Sequence, residues 1–242
     1  MGISQSSRWI HGTIFNKKFQ HKKFVTFAEN KYEFKDGLND PGQGNVLAFF
    51  ELNQSYIFLN ERSTCYSFVT IPDNSMVYLG QNKYWSSLLT CRNIKPIHQF
   101  PKLTSLKYLI KAVKEDPSNV RLVPPNLQFG QLEHFLEALV WNNPNALQYL
   151  SFQLQTNYVC QAAIDKDPFS IRYVKRRNFL LFSRAIKKNP ASLLHIQSPT
   201  YNMCAFGTRL DPSLIDRIDV TQIVLTPEHP TIDLFLSALK ID

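Results

Sequence analysis

Five times in this chain an Asp or Asn stands directly before a Pro: Asp116-Pro117, Asn143-Pro144, Asp167-Pro168, Asn189-Pro190 and Asp211-Pro212. The Pro-to-Pro intervals are 27, 24, 22 and 22 residues, the spacing of an internal repeat. Apolar residues keep step with it. Three positions after each Pro stand Val120, Leu147, Ile171, Leu193 and Ile215, and six after it Val123, Leu150, Val174, Ile196 and Ile218. Nine and eight positions before it stand Tyr108-Leu109, Phe135-Leu136, Val159-Cys160, Leu181-Phe182 and Met203-Cys204. Five before it the residues are mostly small: Ala112, Leu139, Ala163, Ala185 and Gly207. Spacings of three and four place these sets on single helical faces, so each repeat reads as a pair of short helices.

The dipeptide marks the hinge of each pair. A residue before Pro is pushed out of helical geometry, which ends the preceding helix. Its side-chain oxygen can cap the next helix, whose first turn accepts Pro because an N–H there has no partner. Helices this short are marginal alone in water, so neighbouring pairs must share a core. The reading is a solenoid-like domain of about five helix pairs, residues 99–242, with "PTIDLFLSALKID", residues 230–242, as a closing cap helix.

The first hundred residues have another texture. "KFVTF", "VLAFFEL", "SYIFL", "CYSFVTI" and "MVYLG" are short aromatic and β-branched runs separated by turn residues such as "DPGQGN" and "PDNS". They predict a small β-rich domain over residues 29–98, with the boundary near "KPIHQFPK", and hence an α+β protein. No stretch is apolar for the roughly 18 residues a membrane span needs, and the N-terminus lacks the apolar core of a secretory leader; a soluble, intracellular chain is expected. Cys65, Cys91, Cys160 and Cys204 stand singly, with no C-x-x-C pair, so neither a disulfide framework nor a zinc site is expected.

Charge supplies the candidate binding residues. Residues 1–28, read as a basic arm, hold Arg8, Lys17, Lys18, Lys22 and Lys23 without one acid. Residues 172–188 hold Arg172, Lys175, Arg176, Arg177, Arg184, Lys187 and Lys188, again without an acid. Such runs are ordinarily solvated faces; the alternative is a docking surface for an anionic partner. "MGISQS" satisfies M-G-x-x-x-S and makes Gly2 a candidate for N-myristoylation, with the basic arm as the second signal that one acyl chain needs to hold a membrane. No catalytic, cofactor or metal residues emerge. Cys160 and Cys204 share one apolar repeat slot and read as packing, His195 falls in a half-exposed slot, and Glu133-His134 lacks the partner a metalloprotease helix requires.

"FKDGLN" (34–39), "VTIPDNSMVY" (69–78), "NKY" (82–84) and "IKPI" (94–97), followed by Asp/Asn-Pro helical pairs, resemble an uncharacterised repeat-protein family of amoeba-infecting giant DNA viruses. The resemblance implies fold and viral origin, and with no active site among the residues a non-enzymatic interaction protein is expected. The expectation is a structural component of the virus particle, minor capsid or membrane-apposed, located in the virion and, during infection, in the host cytoplasm. Its partners would be other proteins, capsid proteins among them, and an anionic membrane reached through the N-terminus. A nucleic-acid-associated protein using Arg172 to Lys188 with Tyr173 and Phe179, and a host-interaction adaptor, are the alternatives.

Overall fold

The computed structural model describes residues 9–224, apart from 31, 32, 43, 61, 125–128 and 177, together with 227, 231 and 232. The fold is α+β: an eight-stranded antiparallel sheet, then helices. The chain divides into two compact units, Met1–Pro124 and Pro125–Asp242.

In the first unit the strands are β1 (Trp9–His11), β2 (Phe24–Ala28), β3 (Gly37–Asn39), β4 (Leu47–Glu51), β5 (Cys65–Thr70), β6 (Met76–Leu79), β7 (Tyr84–Ser86) and β8 (Leu89–Pro96). Their order is β1-β6-β7-β4-β2-β5-β8-β3. Central β2 is buried along almost its whole length, which is why "FVTFA" lacks a polar face. One sheet face carries Phe24, Phe49, Val69, Val77 and Tyr84, and helix α1 (Gly12–Lys18) closes over it with Phe15. The segment expected as an arm therefore forms an edge strand, a covering helix and a central strand from Trp9 onward.

"FKDGLN" and "VTIPDNSMVY" make turns in this unit. Asn39 accepts from Lys35 N at 2.8 Å and donates to Lys35 O at 2.8 Å and Gly37 O at 3.0 Å, closing "FKDGLN" around Gly37, whose φ of +95° suits glycine. In "VTIPDNSMVY", Ser75 donates to Pro72 O at 2.6 Å, and Gly12 N donates to Ser75 O at 2.8 Å. A Cβ on Gly12 would lie 2.1 Å from Pro72 O, so only glycine lets α1 start there.

"SYIFL" is not a strand. Ser55–Phe58 is a 3-10 helix, because Ser55 Oγ turns back to Leu52 O at 2.9 Å and Phe58 stacks on Phe50 with ring centroids 4.1 Å apart. Local side-chain bonding and stacking there outweigh β propensity.

All five hinges take one form. Asp116, Asn143, Asp167, Asn189 and Asp211 are extended, with φ between −139° and −150°. Each donates its N–H to the carbonyl four residues back, at 2.8–3.0 Å, and so terminates a helix: α2 (Leu106–Glu115), α3 (Phe129–Asn142), α4 (Asn157–Lys166), α5 (Phe179–Lys188) and α6 (Tyr201–Leu210). Each also accepts, through its side chain, from the N–H two residues on, at 2.9–3.2 Å. The Pro then opens a six-residue 3-10 helix: Pro117–Leu122, Pro144–Tyr149, Pro168–Tyr173, Pro190–His195 and Pro212–Arg217. At six residues each makes two 3-10 turns, longer than the three or four residues usual for such a helix.

The predicted faces are buried at Leu109, Leu136, Cys160, Phe182 and Cys204, at all five small slots, and at Val120, Leu147, Ile171 and Leu193. In the last pair Ile215 is half-buried and Leu214 takes its place. Helices α3 to α6 touch in chain order, as do the 3-10 helices that follow them. The pair at Asp116-Pro117 lies in the first unit. There the Tyr108 and Ser55 hydroxyls are 2.7 Å apart and Asn119 Nδ2 donates to Leu59 O at 2.9 Å. The longest interval, 27 residues, spans the division between the units. Of the expected cap helix, 230–242, all but Thr231 and Ile232 falls outside the described residues.

Candidate functional site

The basic run of the second unit is largely tied to neighbouring repeats. The Arg184 guanidinium donates through Nε and Nη2 to the two carboxylate oxygens of Asp165, at 2.7 Å each, and Lys188 Nζ sits 3.1 Å from the same carboxylate. Lys175 Nζ donates to Leu150 O at 2.5 Å. Arg176 lies 4.4 Å from the Phe152 ring centroid and Arg172 4.8 Å from that of Tyr173. Lys187 is exposed, and Arg177 lies outside the described residues. These bonds link α4 to α5, so the run in good part joins one helical pair to the next.

Hydrogen bonds from Arg184 and then Lys188 hold the Asp165 carboxyl below the usual carboxylate range. A group with a lowered folded pKa contributes stability above its unfolded value and loses it as pH falls through the folded one. Urea midpoints should therefore be flat across neutral pH and drop once pH passes below the ordinary Asp value of 3.8. Asp165→Asn should lower the neutral-pH midpoint and remove that part of the acid dependence; an unchanged acid profile would show that the pair is not formed.

Beside this run a cavity of about 430 Å³ opens among the 3-10 helices, lined by Gln148, Arg172, Tyr173, Lys175, Phe182 and Gln197. Its backbone is fixed by Gln155, a buried amide missed in the sequence. Gln155 Nε2 donates to Leu147 O at 2.8 Å and Tyr173 O at 3.0 Å, and its Oε1 accepts from Lys175 N at 2.8 Å. A second cavity, about 480 Å³, lies within the first unit against Phe27, Phe34, Phe50 and Phe58, with Lys83 at its wall.

Cys91, Cys160 and Cys204 sit in packing positions, whereas His134 and His195 are exposed. Cys160 and Cys204 are buried, and burial pushes their thiols up to about 12; Cys91 is pushed up to about 11 by the same cause. A thiol so raised is protonated at neutral pH and a poor nucleophile. His195 packs edge-on to Phe169, Glu133 accepts from Thr156 Oγ1 at 2.6 Å, and His134 pairs with Glu137 at 3.6 Å on an exposed helix face. Among the described residues no group of three or more His, Cys, Asp or Glu could hold a metal ion, and no helix is long and apolar enough to cross a membrane.

The larger surplus of charge lies elsewhere. Met1–Pro124 holds 16 Lys and Arg against 9 Asp and Glu, so the second unit is close to neutral. Lys17, Lys18, Lys22 and Lys23 are exposed, Lys22 being bound to Glu51 Oε2 at 2.6 Å, a bond that raises its pKa. Gly2 and Arg8 lie outside the described residues. Lys107, Lys111 and Lys114 on α2 were not singled out from the sequence. Their i, i+4, i+7 spacing opposite Tyr108, Leu109, Ala112 and Val113 was the available signal.

Compared with protein-family models, with curated proteins and with solved structures, the chain matches none.

Proposed function

We propose that this protein acts by binding, without catalysis: a scaffold in which Asp/Asn-Pro helical pairs stack into a solenoid-like array. One observation carries the reading, the recurrence of a single hinge at five places, with the same terminating bond, the same side-chain cap and the same buried slots. Short pairs that bury their apolar faces only against neighbours make a quasi-one-dimensional array, which offers partners an extended surface. The ion pairs from α5 to Asp165 support it, since they join successive pairs. The cavity beside Tyr173 supplies a recess for a partner side chain. In the setting implied by the giant-virus resemblance, the role is that of a structural particle component, minor capsid or membrane-apposed.

Mass spectrometry of purified, nuclease-treated particles against infected-cell fractions tests the role. The protein should be retained with the particles at a constant ratio to their coat proteins. Confinement to the soluble cell fraction would overturn the particle assignment.

A further inference from the structure

We propose that the first unit carries a docking surface for an anionic lipid bilayer, built from the lysines of two chain segments that meet a third, lysine-free one along residues 51–56. The segments are residues 12–23, 51–58 and 101–115. Together they hold eight lysines, no arginine and two glutamates, Glu51 and Glu115.

Their contacts run from one segment to the next. Lys18 and Lys22 each place Nζ 5.5 Å from the Phe19 ring centroid. Lys22 binds Glu51 at 2.6 Å, and Lys23 O accepts from Leu52 N at 2.8 Å. Lys102 Nζ donates to Asn53 Oδ1 at 3.2 Å, and Lys111 Nζ lies 5.1 Å from the Tyr56 ring centroid. Helix α2 continues the row with Lys107 and Lys114, both exposed. Glu51 is engaged by Lys22, and Glu115 lies at the far end of α2. The lysines between them carry the field.

The chemistry favours lipid headgroups over a nucleic acid. Every cation is an ammonium, a compact point charge suited to many phosphates and carboxylates at once, with no planar guanidinium for bidentate recognition. Lysines already lie over the rings of Phe19 and Tyr56, in the place a stacking base would take. Ile14 is 58% exposed on α1, three and four residues before Lys17 and Lys18, an apolar side chain beside two cations, as at a bilayer interface. The pattern at Gly2 belongs to the same unit's sequence, and the surface stands without it.

The inference rests on the first unit alone and is independent of particle location. Its test is co-sedimentation of the full, unacylated chain with vesicles of phosphatidylcholine, with and without phosphatidylserine. Binding should require phosphatidylserine and weaken as salt is added. The triple variant Lys107→Ala, Lys111→Ala, Lys114→Ala should bind on the order of a hundredfold more weakly, about fivefold for each lysine. A second variant, Arg209→Ala with Arg217→Ala in the other unit, both exposed, should bind as the native chain does. Equal loss in both variants, equal binding to both vesicle types, or failure to bind phosphatidylserine vesicles, whether or not a duplex oligonucleotide is bound instead, would overturn the proposal.

Discussion

Ala163→Trp should leave the second unit unable to fold, whereas Pro168→Ala, five residues away, should melt close to the native chain. Ala163 is fully buried in α4, which packs against α3 on one side and α5 on the other, so neither neighbour can withdraw without losing its own core. The equivalent slots hold Ala112, Leu139, Ala185 and Gly207, all buried. At Gly207 the tolerance can be read directly: an added Cβ would lie 2.8 Å from Leu193 Cδ2. Overpacking by a few methylenes typically costs about 1–3 kcal/mol, and an indole adds far more volume than that. Pro168 contributes a fixed φ, and a compatible Pro is worth only about 0.4–1 kcal/mol. The cap from Asp167 to Phe169 N, at 3.0 Å, survives its replacement. Circular dichroism melts of the two variants decide; if Ala163→Trp unfolds with the native chain, the helices are not packed through these slots.

The repeat was legible because it is written in hard chemistry. Pro has no N–H, Asp and Asn are among the best caps, and both constraints act within four residues, so the hinge at Asp167 could be placed without tertiary information. The sheet was less legible. β1 and β7 are three residues long, too short for a period-two signal, and β3 is the turn end of "FKDGLN". Ser55–Phe58 deceived because its aromatic residues resemble a strand while its hydroxyl bonds backward.

The candidate site was legible in composition but not in place. Reading charge along the chain singled out residues 172–188, yet Arg184 and Lys188 are bound to Asp165, an acid outside the run. The converse holds in the first unit, where Lys22, Lys102 and Lys111 lie 29 or more residues from Glu51, Asn53 or Tyr56, the partners that fix them. Linear charge counting cannot see either relation. It weighs a cation by its neighbours in sequence, whereas a field depends on neighbours in space.

Phe15→Ala tests whether the N-terminal basic segment is part of the fold. A detachable basic arm would carry its cations on chain that contributes nothing to stability. Phe15 instead is wholly buried, with ring centroids 4.6 Å from Phe19, 5.2 Å from Phe24 and 5.6 Å from both Phe49 and Tyr84. Removing it should cost about 3–5 kcal/mol, through lost transfer energy and an unfilled cavity, and lower the melting temperature of the first unit by roughly 12–20 °C. Ile14→Ala, one residue earlier and exposed, should stay within about 0.5 kcal/mol of the native chain. Because Lys17, Lys18 and Lys22 are held in place by this helix and by Phe19, the first change should also release the acid-free segment from the sheet, which amide exchange over residues 12–23 would report as lost protection. Equal stability for the two variants would return the segment to the status of a tail, and the lysine surface would lose the support that orders its first four members.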